Sequence, residues 1–544
     1  MSDPRSDLTQ LPDLRHKPDH GPVRSRRPLY QDLLPPCNHA CPAGEPVQAW
    51  LALAQGGRHR EAWETLVQAN PFPAVHGRVC YHPCESSCNR ERLDGAVSIH
   101  SIERFLGDLA IEQGWPLPRG TPSSGQRVLI VGAGPSGLSA AYHLWRLGHA
   151  VVVREAGPVA GGMMHFGIPA YRLPRAVLDA EVARLVACGV VFEFNHRTED
   201  LEAEWRDGGF AAVFLAVGAH LSKRATIPAC DAGRMLDAVS FLRDVEAGTP
   251  PRLGRRVAVY GGGNTAMDAA RTALRLGHEP LIIYRRDREH MPAHDFEATE
   301  ALEEGVKIHW LRAITGLQGG TLTVEVMALD AGGRPRGTGE FETIDADDLI
   351  LALGQETDTR FLRGVEGVIF GDDGTVMVDA GMMTGRSGLF AGGDMVPAER
   401  SVTYAVGHGS TAARHIDAFL RATTCAAPAV PPLASFEKLH LWFYTDVTHR
   451  PQARAPMDER RRTFGEVVAG LSESEARFEA ARCLSCGTCF ECDGCYAACP
   501  EDAVIKLGPG RRYEFDFARC TGCAICFEQC PSHAISMVHE PDAR

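Results

Sequence analysis

The cysteines of the chain are concentrated in two regions, and their spacing predicts iron–sulfur chemistry. Ten of the eighteen lie between Cys483 and Cys530, where two runs repeat the pattern Cys-x2-Cys-x2-Cys-x3-Cys-Pro. Thiolates at this spacing are typical ligands of [4Fe–4S] clusters. Zinc ribbons carry pairs of Cys-x-x-Cys motifs and lack this interleaved pattern with prolines. The signal for clusters in this region is therefore strong.

The two runs are expected to share their ligands. In bacterial two-cluster ferredoxins, the fourth cysteine of each run ligates the other cluster. The sequence therefore predicts a ferredoxin-like domain with two [4Fe–4S] clusters. One cluster is expected to take Cys489, Cys492, Cys495 and Cys530, and the other Cys520, Cys523, Cys526 and Cys499.

A second group of cysteines lies near the beginning of the chain. Cys37 and Cys41 precede two stretches with the apolar periodicity of helices, and Cys80, Cys84 and Cys88 follow them. Five cysteines around a helical hairpin suit iron ligated by thiolates, with a zinc site as the alternative. Histidines close to these cysteines are predicted to be packing or surface residues; they are His39, His76 and His82.

Between the two cysteine-rich regions, the sequence contains a stretch that predicts a dinucleotide-binding site. A short β run leads into Gly132, Gly134 and Gly137, then an Ala-rich helix, then a second β run that ends at Glu155. In this pattern glycines allow a tight turn and close approach of a pyrophosphate to the helix N-terminus. The acid is placed to bind a ribose hydroxyl and would repel a 2′-phosphate, which favours FAD or NAD.

The pattern then repeats with a different ending. The segment RVAVYGGGNTAMDAARTALRLG leads to a β run that ends in arginines where the first site has an acid. Arginine there accommodates a 2′-phosphate, which favours NADPH, with NADH as the alternative cofactor. Two solvated surface arginines remain the competing interpretation. The predicted contacts are Gly261, Gly263, Asn264, Thr265, Arg285 and Arg286.

A last glycine-rich segment is predicted to return to the first site. Gly393 and Asp394 are placed like residues that contact the ribityl chain of a flavin. The stretch from Ala405 to Gly409 is expected to open a helix whose N-terminus could stabilise a reduced flavin. One fingerprint, a complete second one and a return to the first predict two interleaved Rossmann-like domains.

Composition places the chain among globular proteins of several domains. It has 544 residues, 44% hydrophobic and 23% charged, and a net charge of −13. That charge argues against a nucleic-acid partner. No apolar run is long enough for membrane insertion, so we expect a cytoplasmic protein. The basic cluster from Arg24 to Arg27 is predicted to belong to a solvated tail.

The predicted fold class is α/β, with a helical iron–sulfur domain before the two interleaved Rossmann-like domains and a ferredoxin-like domain after them. The expected boundaries are a polar leader (1–34), the helical iron–sulfur domain (35–121), a first FAD-binding segment (122–250), the NADPH-binding domain (251–355), a second FAD-binding segment (356–425), a linker with a helix (426–482) and the ferredoxin-like domain (483–544).

From Cys37 to about Ile416 the chain resembles the small subunit of glutamate synthase and the N-terminal half of dihydropyrimidine dehydrogenase. The motifs GRVC…PCE..C, GAGPSGL, GIPAYRLP, GGGNTAMD, YRR and GGD carry the resemblance. It implies FAD in the first site, NADPH in the second and hydride transfer between them. It also implies two iron–sulfur clusters near the N-terminus, one with a non-cysteine ligand from the predicted helix around 101–111, which carries Glu103.

The chain departs from this family at one place. The family has a Cys-x-x-Cys pair shortly before the position of Cys37, and this chain has none there. Cys483 and Cys486 stand in the sequence context that is missing. We therefore predict that they fold back to complete a cluster with Cys37 and Cys88, while free spare thiols remain the alternative. The other N-terminal cluster would use Cys41, Cys80, Cys84 and Glu103.

These ligand sets account for four [4Fe–4S] clusters, with the two of the ferredoxin-like domain as the minimum. Three isolated cysteines are predicted to be inert: Cys188, Cys230 and Cys425.

The predicted function is an NAD(P)H:ferredoxin-type oxidoreductase in which no side chain acts as an acid or base on a substrate. The expected partner is a ferredoxin or a subunit of a larger redox complex, such as a 2-oxoacid:ferredoxin oxidoreductase, which would make a hetero-oligomer. The alternatives are a small subunit of glutamate synthase and, from another class, a non-catalytic electron wire or redox sensor.

Overall fold

The architecture was derived from a computed structural model, which describes residues 24–223, 229–230, 234–426 and 429–540. The chain opens with a strand and a helical domain. Apolar residues at helical spacing, such as Trp50 and Trp63, are fully buried between these helices. The elements are β1 (Arg26–Tyr30), α1 (Pro36–Ala40), α2 (Val47–Gln55), α3 (His59–Leu66), α4 (Pro73–Val79), α5 (Pro83–Ser86) and α6 (Ile99–Glu112).

The first Rossmann-like half follows. Its three central strands are short, mainly apolar runs that are buried on both faces, as parallel strands covered by helices require. The elements are β2 (Arg127–Val131), α7 (Pro135–Arg146), β3 (Ala150–Arg154), α8 (Met163–Phe166), α9 (Arg175–Ala187), β4 (Val191–Glu193), α10 (Leu201–Asp207), β5 (Ala212–Leu215) and β6 (Leu221–Ser222).

The second Rossmann-like domain is inserted at this point and carries an antiparallel extension of three strands. Its elements are β7 (Ala229–Cys230), β8 (Arg234–Asp237), α11 (Ala238–Glu246), β9 (Arg256–Tyr260), α12 (Asn264–Arg275), β10 (Glu279–Tyr284), α13 (Asp295–Glu304), β11 (Lys307–Trp310), β12 (Arg312–Gln318), β13 (Thr321–Leu329), β14 (Pro335–Asp345) and β15 (Asp348–Leu351).

The chain then returns to the first domain and ends in the cysteine-rich tail. The return supplies β16 (Gln355–Glu356), β17 (Leu389–Ala391) and α14 (Val402–Leu420). The tail contains α15 (Met457–Arg462), α16 (Glu473–Ala481), α17 (Gly494–Ala498), β18 (Val504–Lys506), β19 (Tyr513–Phe515), α18 (Ile525–Glu528) and β20 (Ile535–His539).

Sheet order confirms the predicted interleaving. One parallel sheet has the order β17-β5-β2-β3-β4, so its edge strand β17 comes from the returning segment. The other parallel sheet, β11-β10-β9-β15-β8, is built entirely from the inserted segment. The α/β class and the two interleaved domains are therefore as the sequence predicts.

The helical domain and the first Rossmann-like domain share a single core. Trp63 and Leu106 belong to the same buried cluster as Tyr142 and Ile416, and Ala480 of α16 joins them. The Tyr142 hydroxyl donates a hydrogen bond of 2.7 Å to the backbone oxygen of Val67. The cluster region and the flavin region are thus one packed body rather than two tethered domains. Within the described part of the chain, no helix has both the length and the apolar character needed to cross a bilayer.

The prediction of a solvated tail around Arg24 to Arg27 is wrong. Residues 26–30 form β1, which pairs antiparallel with β20 at the other end of the described chain. The Arg24 guanidinium is largely buried and donates to the backbone oxygens of Phe517 and Cys520 at 2.6 and 2.8 Å. Arg24 and Arg27 also lie over the Phe517 ring. The basic residues are held because they bind carbonyl groups and an aromatic face of the tail.

Candidate functional site

The first nucleotide site lies where β2 meets α7. Gly132 has φ +105°, and a Cβ there would overlap the carbonyl of Ala216, so only glycine fits this turn. Beside Gly134 an added Cβ would meet nothing within 4 Å, which leaves open space at the helix N-terminus. The buried Ser136 hydroxyl has no hydrogen-bond partner among the described residues. An open helix N-terminus with an unpaired donor fits the pyrophosphate of FAD.

The predicted acid lies at the same turn. Glu155 directly follows β3, and its Oε2 accepts a hydrogen bond of 2.8 Å from the backbone nitrogen of Ala133 in the fingerprint. The carboxylate is therefore positioned at the glycine turn, although the predicted ribose contact itself stays a prediction.

The returning segment supplies the other predicted flavin residues. Gly393 follows β17 and donates its backbone N–H to Nδ1 of His408 at 3.1 Å. Burial raises the pKa of Asp394 to about 6. The helix α14 begins at Val402 and not at Ala405, because the Ser401 side chain caps it by accepting from the backbone nitrogen of Tyr404. Ala405 therefore lies inside the first turn rather than at the helix start.

The second nucleotide site has the matching layout. Gly263 is the N-cap of α12, and an added Cβ there would also meet open space. Arg285 is exposed, whereas the Nε of the half-buried Arg286 is shielded from solvent and has no partner among the described residues. An unpaired guanidinium donor at the end of β10 fits a phosphate group. Thr265 follows Asn264 in the first turn of α12.

Asn264 is already engaged by two other segments. Its Nδ2 donates to the hydroxyl of Tyr81 at 2.6 Å, and its Oδ1 accepts from the backbone nitrogen of His294 at 3.0 Å. The Tyr81 ring stacks on His294 with centroids 3.7 Å apart. Tyr81 directly follows Cys80, so the nucleotide fingerprint contacts the cysteine loop of the helical domain.

The structure brings Cys41, Cys80, Cys84 and Glu103 together. Burial raises the pKa of the Cys80 thiol to about 12, and the neighbouring Glu103 carboxyl raises it as well. The pKa of the Cys84 thiol is raised by burial and also by Cys80, Cys41 and Glu103. One buried thiol, two half-buried thiols and a buried carboxyl are a donor set that fits an iron–sulfur cluster.

A second carboxyl lies beside this set and was missed in the sequence. Glu45 shares a hydrogen bond with Glu103, and the Asn70 amide donates to both, at 2.9 and 2.8 Å. Burial raises the pKa of Glu45 to about 7. The pKa of Glu103 is raised well above its usual value, first by burial and then by repulsion from the adjacent Glu45 carboxylate. The only sequence signal for Glu45 is its position four residues after Cys41.

The structure also brings Cys37, Cys88, Cys483 and Cys486 together. Burial raises the pKa of the Cys37 thiol, and the neighbouring sulfurs of Cys483, Cys88 and Cys486 raise it further. The donor set is four thiols contributed by both ends of the chain, which fits a [4Fe–4S] cluster. Asn89 donates to the Cys486 sulfur at 3.4 Å.

A buried arginine holds the tail in this position. Arg482 precedes Cys483 and donates to the backbone oxygens of Val447 and Ala96, both at 2.9 Å, and of Gly95 at 2.7 Å. It also pairs with Glu479 at 2.9 Å. These bonds fix the residue next to the cysteine pair against the helical domain independently of any cluster.

In the ferredoxin-like domain, the fourth cysteine of each run lies beside the first three cysteines of the other run. The pKa of the Cys495 thiol is raised by burial and by Cys489, Cys492 and Cys530. The four cysteines of the other predicted set are among the residues that line one small cavity: Cys499, Cys520, Cys523 and Cys526. Each group of four sulfurs thus combines three cysteines of one run with the fourth of the other.

β1 also contacts this domain through Tyr30, which the sequence did not single out. Its hydroxyl lies 4.0 Å from the Cys495 sulfur, and its ring stacks on Phe515 at 5.1 Å. Of the predicted inert cysteines, Cys188 and Cys425 are half-buried, and the side chain of Cys230 lies outside the described residues.

Comparison with known proteins agrees with this layout. Residues 126–409, which include both glycine fingerprints, match the family model described as pyridine nucleotide-disulphide oxidoreductase. The chain belongs to the pyridine nucleotide-disulphide oxidoreductase family. Residues 27–115 match dihydropyrimidine dehydrogenase domain II, 4Fe-4S cluster, and residues 513–536 match a 4Fe-4S binding domain. This member of the family is therefore an iron–sulfur flavoprotein oxidoreductase, as predicted.

Three curated relatives show how far the similarity extends. The chain is 37% identical to an NADP(+)-dependent formate dehydrogenase subunit beta of Moorella thermoacetica, over 83% of this chain and 70% of that protein. It is 32% identical to an NADPH-Fe(3+) oxidoreductase subunit beta of Geobacter sulfurreducens, over 83% and 75%. It is 35% identical to a glutamate synthase [NADPH] small chain of Azospirillum brasilense, over 73% and 89%.

Proposed function

We propose that the chain is an NAD(P)H:ferredoxin-type oxidoreductase that moves electrons between NADPH, FAD and four [4Fe–4S] clusters, as the electron-transfer subunit of a larger redox complex. The observation that carries the proposal is that the two nucleotide sites and the cysteine sets lie next to one another in one packed body. The second nucleotide fingerprint contacts the cysteine loop of the helical domain, and the first shares a buried core with that domain. Two thiols of the helical domain face two thiols of the tail.

The chain's own residues bind and space the cofactors. Flavin in the first site would supply the conversion between two-electron hydride chemistry and one-electron cluster chemistry. Gly132, Ser136 and Glu155 would hold it, and Arg286 would hold the 2′-phosphate of NADPH. The cysteine sets described above would hold the clusters. In this proposal no side chain acts as an acid or base on a substrate.

The three relatives support NADPH and a partner subunit, since the name of each contains NADP(+) or NADPH and refers to a subunit or a small chain. None of these names refers to a 2-oxoacid enzyme. The partner proposed here is therefore a redox subunit or ferredoxin that exchanges single electrons with the tail.

The test is anaerobic reduction of a viologen dye by the isolated chain loaded with FAD, iron and sulfide. We expect NADPH to drive the reaction and NADH to drive it less well. A fully loaded chain that fails to oxidise NADPH, while dithionite still reduces its clusters, would support the electron wire and overturn the proposal.

A glutamate synthase small subunit remains the second candidate, because similarity to such a chain covers most of that relative. The tail with two additional thiol sets favours the first proposal. Glutamate formation on addition of a large glutamate synthase subunit would decide for the second candidate.

A further inference from the structure

One hydrogen bond joins the returning flavin segment to the cluster loop. Thr403, the second residue of α14, is 3% exposed, and its hydroxyl donates to the sulfur of Cys80 at 3.0 Å. The two residues are 323 positions apart in the chain. The bond therefore crosses between the flavin-binding region and the helical domain.

The Thr403 hydroxyl does not cap its own helix. Ser401 already caps α14 through the backbone nitrogen of Tyr404. Because Thr403 lies in the first turn, no helical carbonyl stands four residues before it to accept its proton. The Cys80 sulfur is thus the acceptor that accounts for the buried hydroxyl.

The helix that carries Thr403 is fixed on both sides. A Cβ added to Gly407 would overlap the carbonyl oxygen of Pro42, the residue after Cys41. A Cβ added to Gly409 would overlap the backbone of Ser136 in the flavin fingerprint. α14 is therefore packed directly between the predicted pyrophosphate turn and the segment after Cys41, and the backbone of Thr403 cannot shift away from Cys80 without displacing both contacts.

Hydrogen bonds to ligand sulfurs affect the reduction potential of a cluster. A donor stabilises the reduced, more negative cluster more than the oxidised one, and so raises the potential. The Cys80 sulfur has a local donor, the backbone nitrogen of His82 at 3.3 Å. The Thr403 hydroxyl is a donor to that sulfur from the flavin side of the molecule.

We infer that Thr403 is a positioning residue that raises the reduction potential of the cluster held by Cys41, Cys80, Cys84 and Glu103, and so makes that cluster the electron acceptor adjacent to the flavin site. The inference rests on the proposed cluster at these four residues. It adds a residue outside the ligand set that sets the cluster's potential.

The test compares Thr403→Val with Thr403→Ser in the full chain with all cofactors. Valine has nearly the shape of threonine but no donor, whereas serine keeps the hydroxyl. The readout is electron paramagnetic resonance during a potentiometric titration. We expect the valine variant to lower the ratio of reduced to oxidised cluster about tenfold at a fixed poise, which is a fall of ~59 mV for a one-electron couple. The serine variant should restore most of the shift.

Thr411→Val provides the matched control, because Thr411 lies further along α14 and its hydroxyl accepts from Arg414 at 3.3 Å. It should leave all cluster potentials unchanged. Unchanged potentials in Thr403→Val, with a full iron count, would overturn the inference while leaving the proposed function intact. A wild-type chain without iron at Cys41, Cys80 and Cys84 would instead overturn the proposed cluster.

Discussion

Replacing Cys483 and Cys486 by alanine tests the long-range cluster. The proposed function assigns four ligand sets, and the double variant removes half of one of them. Four four-iron clusters hold about 16 iron atoms, so the variant should retain about 12. The other three sets contain neither cysteine and should be unaffected.

The fold is expected to survive this change. Arg482 keeps its hydrogen bonds to the backbone oxygens of Ala96 and Gly95 in the helical domain, and the apolar side of α16 keeps Ala476 and Ala480 in the shared core. The lost iron therefore reports on ligation rather than on unfolding. Removing the whole tail should cost about 12 iron atoms, because three sets contain tail cysteines.

The assay is iron and acid-labile sulfide per chain after anaerobic reconstitution, with circular dichroism to check the fold. Cys188→Ala is the matched control, because Cys188 lies at the end of α9 outside every predicted ligand set, and it should retain all the iron. An iron content in the double variant equal to that of the wild type would refute the ligand assignment. Loss of every cluster with a folded chain would refute the independence of the other three sets.

Other changes have equally defined outcomes. Arg286→Ala should raise the KM for NADPH about tenfold or more and leave the KM for NADH nearly unchanged, whereas Arg285→Ala, on the exposed neighbour, should have a smaller effect in the same kinetic assay. Gly407→Val should destabilise the chain by several kcal/mol in denaturant unfolding, since the side chain would overlap the Pro42 carbonyl. Burial opposes ionisation of Glu304, but hydrogen bonds from two arginines of α12 outweigh it and lower its pKa to about 2. Because the folded-state pKa lies below the unfolded value, the associated stability, about 3 kcal/mol, is present above pH 5 and is lost as the pH falls towards 2. The difference between the thermal unfolding temperatures at pH 6 and pH 3 should therefore be smaller in Glu304→Gln than in the wild type.

Local patterns allowed much of the fold and of the candidate site to be predicted. The glycine fingerprints and the cysteine spacings each act within a few residues of the chain, so the sequence displays them directly. The interleaving was also predictable, because a second fingerprint stands before the return segment. The start of α14 differs from the prediction although Ser401 offers a capping signal, because the glycines that follow it form the more conspicuous pattern.

Features that depend on distant residues were not predictable in the same way. The pairing of β1 with β20 joins segments about 500 residues apart, and a short basic, proline-containing stretch has the composition of a solvated tail. The contacts of Thr403 with Cys80 and of Asn264 with Tyr81 have no signal in local spacing. The contact of the tail with Cys37 was predictable, because Cys483 and Cys486 were not needed by the two ferredoxin-like sets and the set with Cys37 lacked two ligands. A count of ligands for each cluster can connect residues that are far apart in the sequence.

The pairing of β1 with β20 has a consequence for how the protein matures in the cell. A ribosome adds about 5–20 residues each second, so β1 waits on the order of half a minute or more for its partner strand to be made. The set with Cys37 and Cys88 also lacks two thiols until Cys483 and Cys486 emerge. In the proposed assignment, iron delivery to that set would therefore follow synthesis of the chain through Cys486, whereas Cys41, Cys80, Cys84 and Glu103 would be available to the assembly machinery much earlier. We expect nascent chains halted before residue 480 to carry one cluster at most.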